Sequence, residues 1–336
     1  MKPIVALTLL VVSCVVSADE VVTTGTHRLT KIIDGVYLAQ STAPLFNSNS
    51  LVLVNDSDVI VVDSHITPQK GRELIASIRE LTDKPITTLI LSHFHYDHAH
   101  GNQAFSHDVE IIGHEYTRAK MSARPLEEGT FKRGKAGNHG YLARLKEQLP
   151  DVKDDEEKKS LEHRIGIVAA HIEAWEEIDP IPPGVTLHKR MTLYRGDREI
   201  QILFLGRAHT GGDVAVYLPA EKLIFTGDMM LGGPSWLGNG FVDEWAETLE
   251  NLKQLDFEVI VPGHGNAFRD RNRIDLVQAF YRDLWQKTAV EFNKGTSAED
   301  AAKVIDMTNH KALGIKKPGF DPLAVARMYE RMQGED

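Results

Sequence analysis

Ser92-His93-Phe94-His95-Tyr96-Asp97-His98 is the stretch on which the reading of this chain turns. It follows Thr87–Leu91, an apolar run predicted to be a buried strand. His93, His95 and Asp97 recur at every second residue, so an extended backbone would aim all three at one side. His98 comes next, where a turn would swing it into the same pocket. Three imidazoles and a carboxylate within six residues are nitrogen and oxygen donors that suit zinc, and iron or manganese as well. A lone histidine would be read as a satisfied polar side chain. Four ligand-type residues at this spacing, just past a strand, are read as a metal site.

Later in the chain the pattern repeats three times. Gly206-Arg207-Ala208-His209-Thr210-Gly211-Gly212 puts a histidine in a glycine-rich loop after a strand ending at Leu205. Phe225-Thr226-Gly227-Asp228 puts a carboxylate at a strand end, and Val261-Pro262-Gly263-His264-Gly265 does so with a histidine. Sheets built with helices on their faces carry their sites at such strand ends.

Around these points strands and helices interleave, which implies an α/β fold. Strands are expected over Ile32–Ala39, over Ser50–Asp63 as a hairpin turning at Asn55-Asp56-Ser57-Asp58, at Met191–Tyr194 and Glu199–Leu205, and at Val214–Leu218, Leu223–Phe225 and Val259–Val261. Leu74, Ile75, Ile78 and Leu81 fall on one face of a helix over Pro68–Leu81. Another helix is expected over Trp245–Leu255, and from about 271 the chain reads as helical, with Ser297 and Asp300 spaced as a cap. The stretch from about 114 to 180 is charged and helix-prone, with Leu161, Ile165, Val168, Ile172 and Trp175 at helical spacing. Its position between the first ligand cluster and His209 fits a roof over the pocket, a dimerisation surface or simple packing on the sheet.

The ordered set His93-x-His95-x-Asp97-His98, His209, Asp228 and His264 resembles the metallo-β-lactamase superfamily of metallohydrolases, over roughly residues 30–275. The resemblance implies a four-layer αββα sandwich, here with a helical insertion and a helical C-terminal tail. It implies that His93, His95 and His209 hold one metal, that Asp97, His98 and His264 hold a second, and that Asp228 bridges the two. Asp63 matches an aspartate that orients a ligand histidine from behind. The cofactor implied is two Zn2+, with iron or manganese as alternatives. A hydroxide held between two metals would attack a lactam, ester or thioester carbonyl, with Asp97 steering its proton.

Within that resemblance some positions depart from the main zinc β-lactamase subclass, which has a cysteine where Asp228 stands and a lysine where Leu231 stands. Aspartate at 228 is instead the pattern of glyoxalase-II-type thioesterases (hydroxyacylglutathione hydrolases) and metallo-lactonases. Trp236-Leu237-Gly238-Asn239 and Val242-Asp243-Glu244-Trp245 resemble a β-lactamase loop and helix start. They imply that Asn239 lines the substrate pocket and that Trp236 walls it. The remaining histidines, among them His65, His100, His107 and His114, are expected at the surface or behind the ligands.

The amino terminus sets the compartment. Lys2, the apolar Ile4–Val16 and the small-residue ending Val16-Ser17-Ala18 read as a signal peptide over 1–18, so the chain is expected to be exported, periplasmic or secreted. Val11-Val12-Ser13-Cys14 also resembles a lipoprotein box, which would place a lipid anchor on Cys14. The run is too short for a membrane span. Cys14 is the only cysteine, so a chain cut after Ala18 has no thiol for a disulfide, a nucleophile or a metal ligand. A metallo-β-lactamase-like domain is then expected over 19–275, interrupted by the insertion, and a helical extension over 276–336.

The 336 residues can bury a sizeable core, and 42% of them are hydrophobic. With 38 basic and 48 acidic residues the formal charge is −10, which argues against nucleic acid as the main partner. A small-molecule substrate is expected, and the sequence leaves the oligomeric state open. Export argues against a glutathione thioester, a cytosolic compound. The expected function is therefore a dinuclear zinc hydrolase of β-lactamase-like type. An iron-dependent oxidoreductase and a non-catalytic metal-binding protein are the readings from other classes.

Overall fold

Val59-Ile60-Val61-Val62 is apolar at every position, which a strand tolerates only when both of its faces are covered. In the computed structural model, which describes residues 20–335, both are. The expected signal peptide and Cys14 lie outside the described residues.

Eight strands form one sheet in chain order: β1 (Val21–Thr23), β2 (His27–Ile33), β3 (Val36–Ser41), β4 (Ser50–Val54), β5 (Val59–Val62), β6 (Ile86–Ile90), β7 (Glu110–His114) and β8 (Val185–Leu187). β1 to β5 run antiparallel, and β5 to β8 are parallel. The second sheet holds β9 (Arg190–Arg195), β10 (Arg198–Phe204), β11 (Val214–Leu218), β12 (Leu223–Gly227) and β13 (Val259–Pro262), with β12 and β13 parallel. Nine α-helices are described: α1 (Pro68–Leu81), α2 (Tyr96–Ala99), α3 (Glu115–Ser122), α4 (Gly129–Gln148), α5 (Asp155–Ala174), α6 (Val242–Lys253), α7 (Asn272–Asn293), α8 (Ala298–Val304) and α9 (Pro322–Met332).

Strand alternation sorts β5 into two layers. Ile60 and Val62 point between the sheets, against Val216, Phe225 and Val261. Val59 and Val61 point outward, into a cluster with Leu74 and Ile78 of α1. On the far side, Ile224 and Ile260 meet Trp245, Leu249, Phe280 and Val325 of α6, α7 and α9. The order is helix, sheet, sheet, helix, as expected. Among the described residues no helix is long and apolar enough to cross a membrane.

Locally the chain departs from expectation in several places, and β1, most of β2 and β8 were not expected at all. Ile32–Ala39 is not one strand: it breaks at Asp34-Gly35, where Gly35 takes φ +69° and a Cβ would stand 2.6 Å from the Val54 carbonyl oxygen. β7 was not expected, because its charged start at Glu110 masks a short buried segment. The 114–180 stretch forms α3, α4 and α5, and Phe131, Trp175 and Ile178 anchor it in a small apolar cluster with Ile66 and Tyr96. Ser297 accepts from the Asp300 amide at 3.1 Å, the expected cap.

Phe241 ties the C-terminal helices to the sheet. The guanidinium carbons of Arg207, Arg331 and Arg327 lie 4.4, 4.9 and 5.0 Å from the centre of its buried ring. Arg207 belongs to the loop that carries His209, and the other two to α9. Leucine would keep most of the apolar volume and lose the ring face. Phe241→Leu is expected to cost about 1–2 kcal/mol, read as a lower urea midpoint at unchanged slope.

Candidate metal centre

Five of the seven expected ligands, and Asp63 behind them, sit past the carboxyl ends of strands, and the other two lie in the short helix α2. Asp63 follows β5, His93 and His95 follow β6, and Asp97 and His98 lie in α2. His209 follows β10, Asp228 follows β12, and His264 follows β13. The extended backbone expected for the first cluster is absent. The chain bends at residues 92–94 and enters the single turn of α2 at Tyr96, so a helical step, not strand alternation, brings Asp97 and His98 round to His93.

All seven groups converge. His93, His95 and His209 can place one ligand atom each within 4.8 Å of one another; so can His93, His98 and Asp228, and so can Asp97, His98 and His264. His95 Nδ1 is 2.8 Å from His209 Nε2. His264 Nε2 lies 3.1 Å from Asp97 Oδ2 and 3.5 Å from Asp228 Oδ2. His98 Nε2 lies 3.2 Å from Asp97 Oδ2 and 3.3 Å from Asp228 Oδ1. Asp228 thus stands between the two histidine groups, 3.6 Å from His209 Nε2.

Neighbouring groups fix which atoms face inward. Asp63, fully buried, accepts from the Ser92 amide at 2.8 Å, from Ser92 Oγ at 2.7 Å and from His98 Nδ1 at 2.7 Å. With one proton held on Nδ1, His98 presents Nε2 to the centre, where a metal would take the place of the second proton. The Asn47 carbonyl accepts from His264 Nδ1 at 3.1 Å, and Asn239 Oδ1 accepts from His95 Nε2 at 3.0 Å. Asp63 and His65 hold φ of +62° and +67°, strain that marks this loop. At Gly263 a Cβ would stand 2.3 Å from Asp228 Oδ1, so only glycine lets this carboxylate sit where it does.

The electrostatics fit cations. Burial opposes charge on Asp97 and Asp228, yet His98 and His264 beside them hold both carboxyls well below the usual range. Burial likewise opposes charge on His264, but Asp228 and Asp97 push it up to about 10, and His98 rises well above the ordinary imidazole value through the same carboxylates and Asp63. Burial, reinforced by His95, pushes His209 down to about 3, and burial lowers His93 and His95. Two buried carboxylates therefore draw positive charge into one half of the site, beside neutral imidazoles in the other. His93 Nε2 and Asp228 Oδ1 are buried with no hydrogen-bond partner among the described residues, a cost that a metal ion in contact with them would remove. The donor set suits divalent metals, and no thiolate is among the donors.

Above the donors lies a cavity of about 420 Å3, lined by Asp97, Asp228 and His209 and walled by Phe46, Tyr96 and Trp236. Trp236 is among the lining residues, while Asn239, which the resemblance put in the pocket, accepts from His95 Nε2 through its Oδ1 at 3.0 Å. Asn239→Ala should therefore act through metal retention, lowering affinity or activity about 10–100-fold, as read by competition with a chromophoric chelator. His65 and His100 are buried, not superficial, and His65 Nε2 pairs with His27 Nε2 at 3.0 Å.

Sequence reasoning assigned no role to Phe46, whose ring stacks on His264 at 5.1 Å, nor to Thr130, Arg133, Gly134 and Gly137 of α4, which line the cavity. Those four positions follow i, i+3, i+4, i+7, the one available signal that they share a face. Of the three roles open to the insertion, the structure gives α4 the cavity wall.

The pattern of the family described as the metallo-beta-lactamase superfamily matches residues 43–264. A linear primary-alkylsulfatase from Pseudomonas sp. is 22% identical over 265 residues, 76% of this chain and 49% of that protein. A metallo-beta-lactamase type 2 from Bacillus cereus is 23% identical over 254 residues, 73% of this chain and 78% of that one. Among solved structures, a stereoselective inverting sec-alkylsulfatase from Pseudomonas sp. superposes with a TM-score of 0.63 at 16% identity, covering 91% of this chain and 50% of that one. The chain spans about half the length of the two sulfatases it matches.

Proposed function

The chain belongs to the metallo-beta-lactamase superfamily, and on that premise we propose that it is an exported, metal-dependent hydrolase of a small organic ester or lactam. The observation that carries this reading is the convergence of seven nitrogen and oxygen donors on the floor of one cavity. His93, His95 and His209 would hold one ion, and Asp97, His98 and His264 a second, with Asp228 between them. Zinc is the metal proposed. Bound there, such ions polarise the scissile group and supply ionised water at neutral pH.

The chain's own residues do the rest. Asp63, Asn239 and the Asn47 carbonyl hold the imidazoles of His98, His95 and His264 in the tautomers that leave a lone pair facing inward. Asp97 Oδ2, beside both His98 and His264, would accept a hydrogen bond from the attacking water and so orient it. Tyr96, Trp236 and Phe46 cover the site and limit bulk water.

Two substrate classes lead. A sulfate ester is favoured because likeness to the sec-alkylsulfatase covers 91% of this chain and a linear primary-alkylsulfatase is a relative in sequence. A β-lactam is supported by the Bacillus cereus relative and by Trp236. The test is a panel on the zinc-loaded mature protein: an alkyl sulfate, a chromogenic cephalosporin, an acyl-homoserine lactone, a glutathione thioester and an aryl ester. Turnover of the sulfate or the cephalosporin, lost in chelator and restored by zinc, is expected. Turnover that persists in chelator would defeat the reading, and one iron per chain in the isolated protein would favour oxidative chemistry. Export is checked by mass spectrometry of the extracytoplasmic protein, with the mature chain expected to begin after Ala18.

A further inference from the structure

The cavity wall that α4 supplies has one long polar side chain. Thr130, Arg133, Gly134 and Gly137 share the face turned to the site. The Thr130 hydroxyl is committed to Glu128, the helix cap. Gly134 must lack a side chain, because a Cβ there would stand 2.7 Å from the Tyr96 hydroxyl and 2.9 Å from the Trp175 ring. Gly137 has nothing within 4 Å of where its Cβ would be. Each glycine costs a helix interior roughly 1 kcal/mol against alanine, so this face gives up helix stability to leave space. Arg133 lines the same cavity.

Arg133 is the only lysine or arginine among the described residues that line this cavity. Its Nη2 pairs with Asp321 Oδ2 at 3.3 Å, and Asp321 is the cap of α9. The side chains are 53% and 28% exposed, so this ion pair is a brace that water weakens, not a tight lock. Among the described residues Nε and Nη1 of the fork meet no acceptor, and a planar guanidinium matches the paired oxygens of a sulfate or carboxylate. Apart from Thr130, whose hydroxyl is taken, the rest of the wall is apolar or aromatic: Trp236, Phe46, Tyr96 and the bare backbone at Gly137.

Resting on the hydrolase reading, we infer that the cavity takes an amphipathic monoanion, its sulfate or carboxylate head anchored by Arg133 and its apolar body laid along Trp236 and Gly137. Asp321, from the C-terminal helices, is a positioning residue that aims the guanidinium.

The test uses the zinc-loaded protein and ligands that cannot be hydrolysed, so it reads binding and not turnover. Calorimetry compares octane-1-sulfonate, octanoate and the neutral methyl octyl sulfone. The wild type is expected to bind one or both anions at least about tenfold tighter than the sulfone. Arg133→Gln should erase that preference and leave the sulfone affinity unchanged, while Arg133→Lys should restore part of it. The sulfonate and octanoate arms distinguish the two head groups. An anion-to-sulfone ratio that is the same in Arg133→Gln and in the wild type would overturn the inference, because the anions would then sit on the metals alone. No preference in the wild type would overturn it too. Circular dichroism checks that the exposed substitution leaves the fold intact. An Arg133-dependent preference in a protein that hydrolyses nothing in the panel would retain the anchor and sink the hydrolase reading; hydrolysis without the preference would do the reverse.

Discussion

His95→Ala is expected to lower turnover of any accepted substrate at least about a thousandfold, the equivalent of about 4 kcal/mol of transition-state stabilisation. His95 Nδ1 is 2.8 Å from His209 Nε2, and both can place a donor within 4.8 Å of His93. Removing this ring leaves two imidazoles where three protein ligands mark a catalytic site with one open position. The metal content of the purified variant, measured by mass spectrometry against about two per chain for the wild type, should fall. The fold should survive. His95 lies in a loop, its Nε2 partner Asn239 is half-buried and can turn to water, and the four-layer core does not use the ring. Full metal content with undiminished turnover would show that the three-histidine group is not the reacting site. Loss of far-ultraviolet circular dichroism would instead assign His95 a folding role.

That prediction could be framed from the sequence because the donors repeat one arrangement, a ligand type just past an apolar strand. Strands covered on both faces are apolar throughout, so Val59–Val62 and Val259–Val261 announce themselves, and a polar residue one to three positions past such a run, Asp63 or His264, stands out. The supporting groups were legible to different degrees. Asp63 was recognisable only through a family resemblance, since an aspartate at a strand end is as well explained by a turn. Asn239 was placed in the pocket by the same resemblance, yet its side chain went to the donor that lacked an acceptor, His95 Nε2. Which buried polar atom lacks a partner is settled by packing across more than a hundred residues, and no local pattern encodes it. The wall built by α4 was hidden for a related reason. Glycines at 134 and 137 read as weak points of a helix until the Tyr96 ring and the open cavity stand beside them. The failure at Ile32–Ala39 is simpler. The dipeptide Asp34-Gly35 is a hairpin signal in its own right, and the apolar residues on both sides of it concealed the turn.

Asp63→Ala is expected to destabilise the protein by about 3–5 kcal/mol and to abolish activity, whereas Asp63→Asn should fold and fail chiefly in metal binding. The carboxylate serves three buried donors, Ser92 N, Ser92 Oγ and His98 Nδ1, all within 2.8 Å. Alanine leaves them without an acceptor, at about 1–3 kcal/mol for each one that water cannot reach. It also asks an alanine to hold φ +62°, a conformation in which aspartate and asparagine are several-fold enriched. Asparagine keeps the backbone preference and can still accept from Ser92. Its amide nitrogen, however, would face His98 Nδ1–H donor to donor. The imidazole escapes by moving its proton to Nε2, the atom 3.2 Å from Asp97 Oδ2 and 3.3 Å from Asp228 Oδ1, which must carry a lone pair if a metal is to bind there. Asp63→Asn should therefore keep a urea midpoint close to the wild type while its metal affinity at the Asp97–His98–His264 group falls about 10–100-fold. Nitrogen-15 chemical shifts of His98 read the tautomer directly. A wild-type tautomer together with wild-type metal affinity in the asparagine variant would mean that Asp63 supports the loop at Ser92 and nothing more.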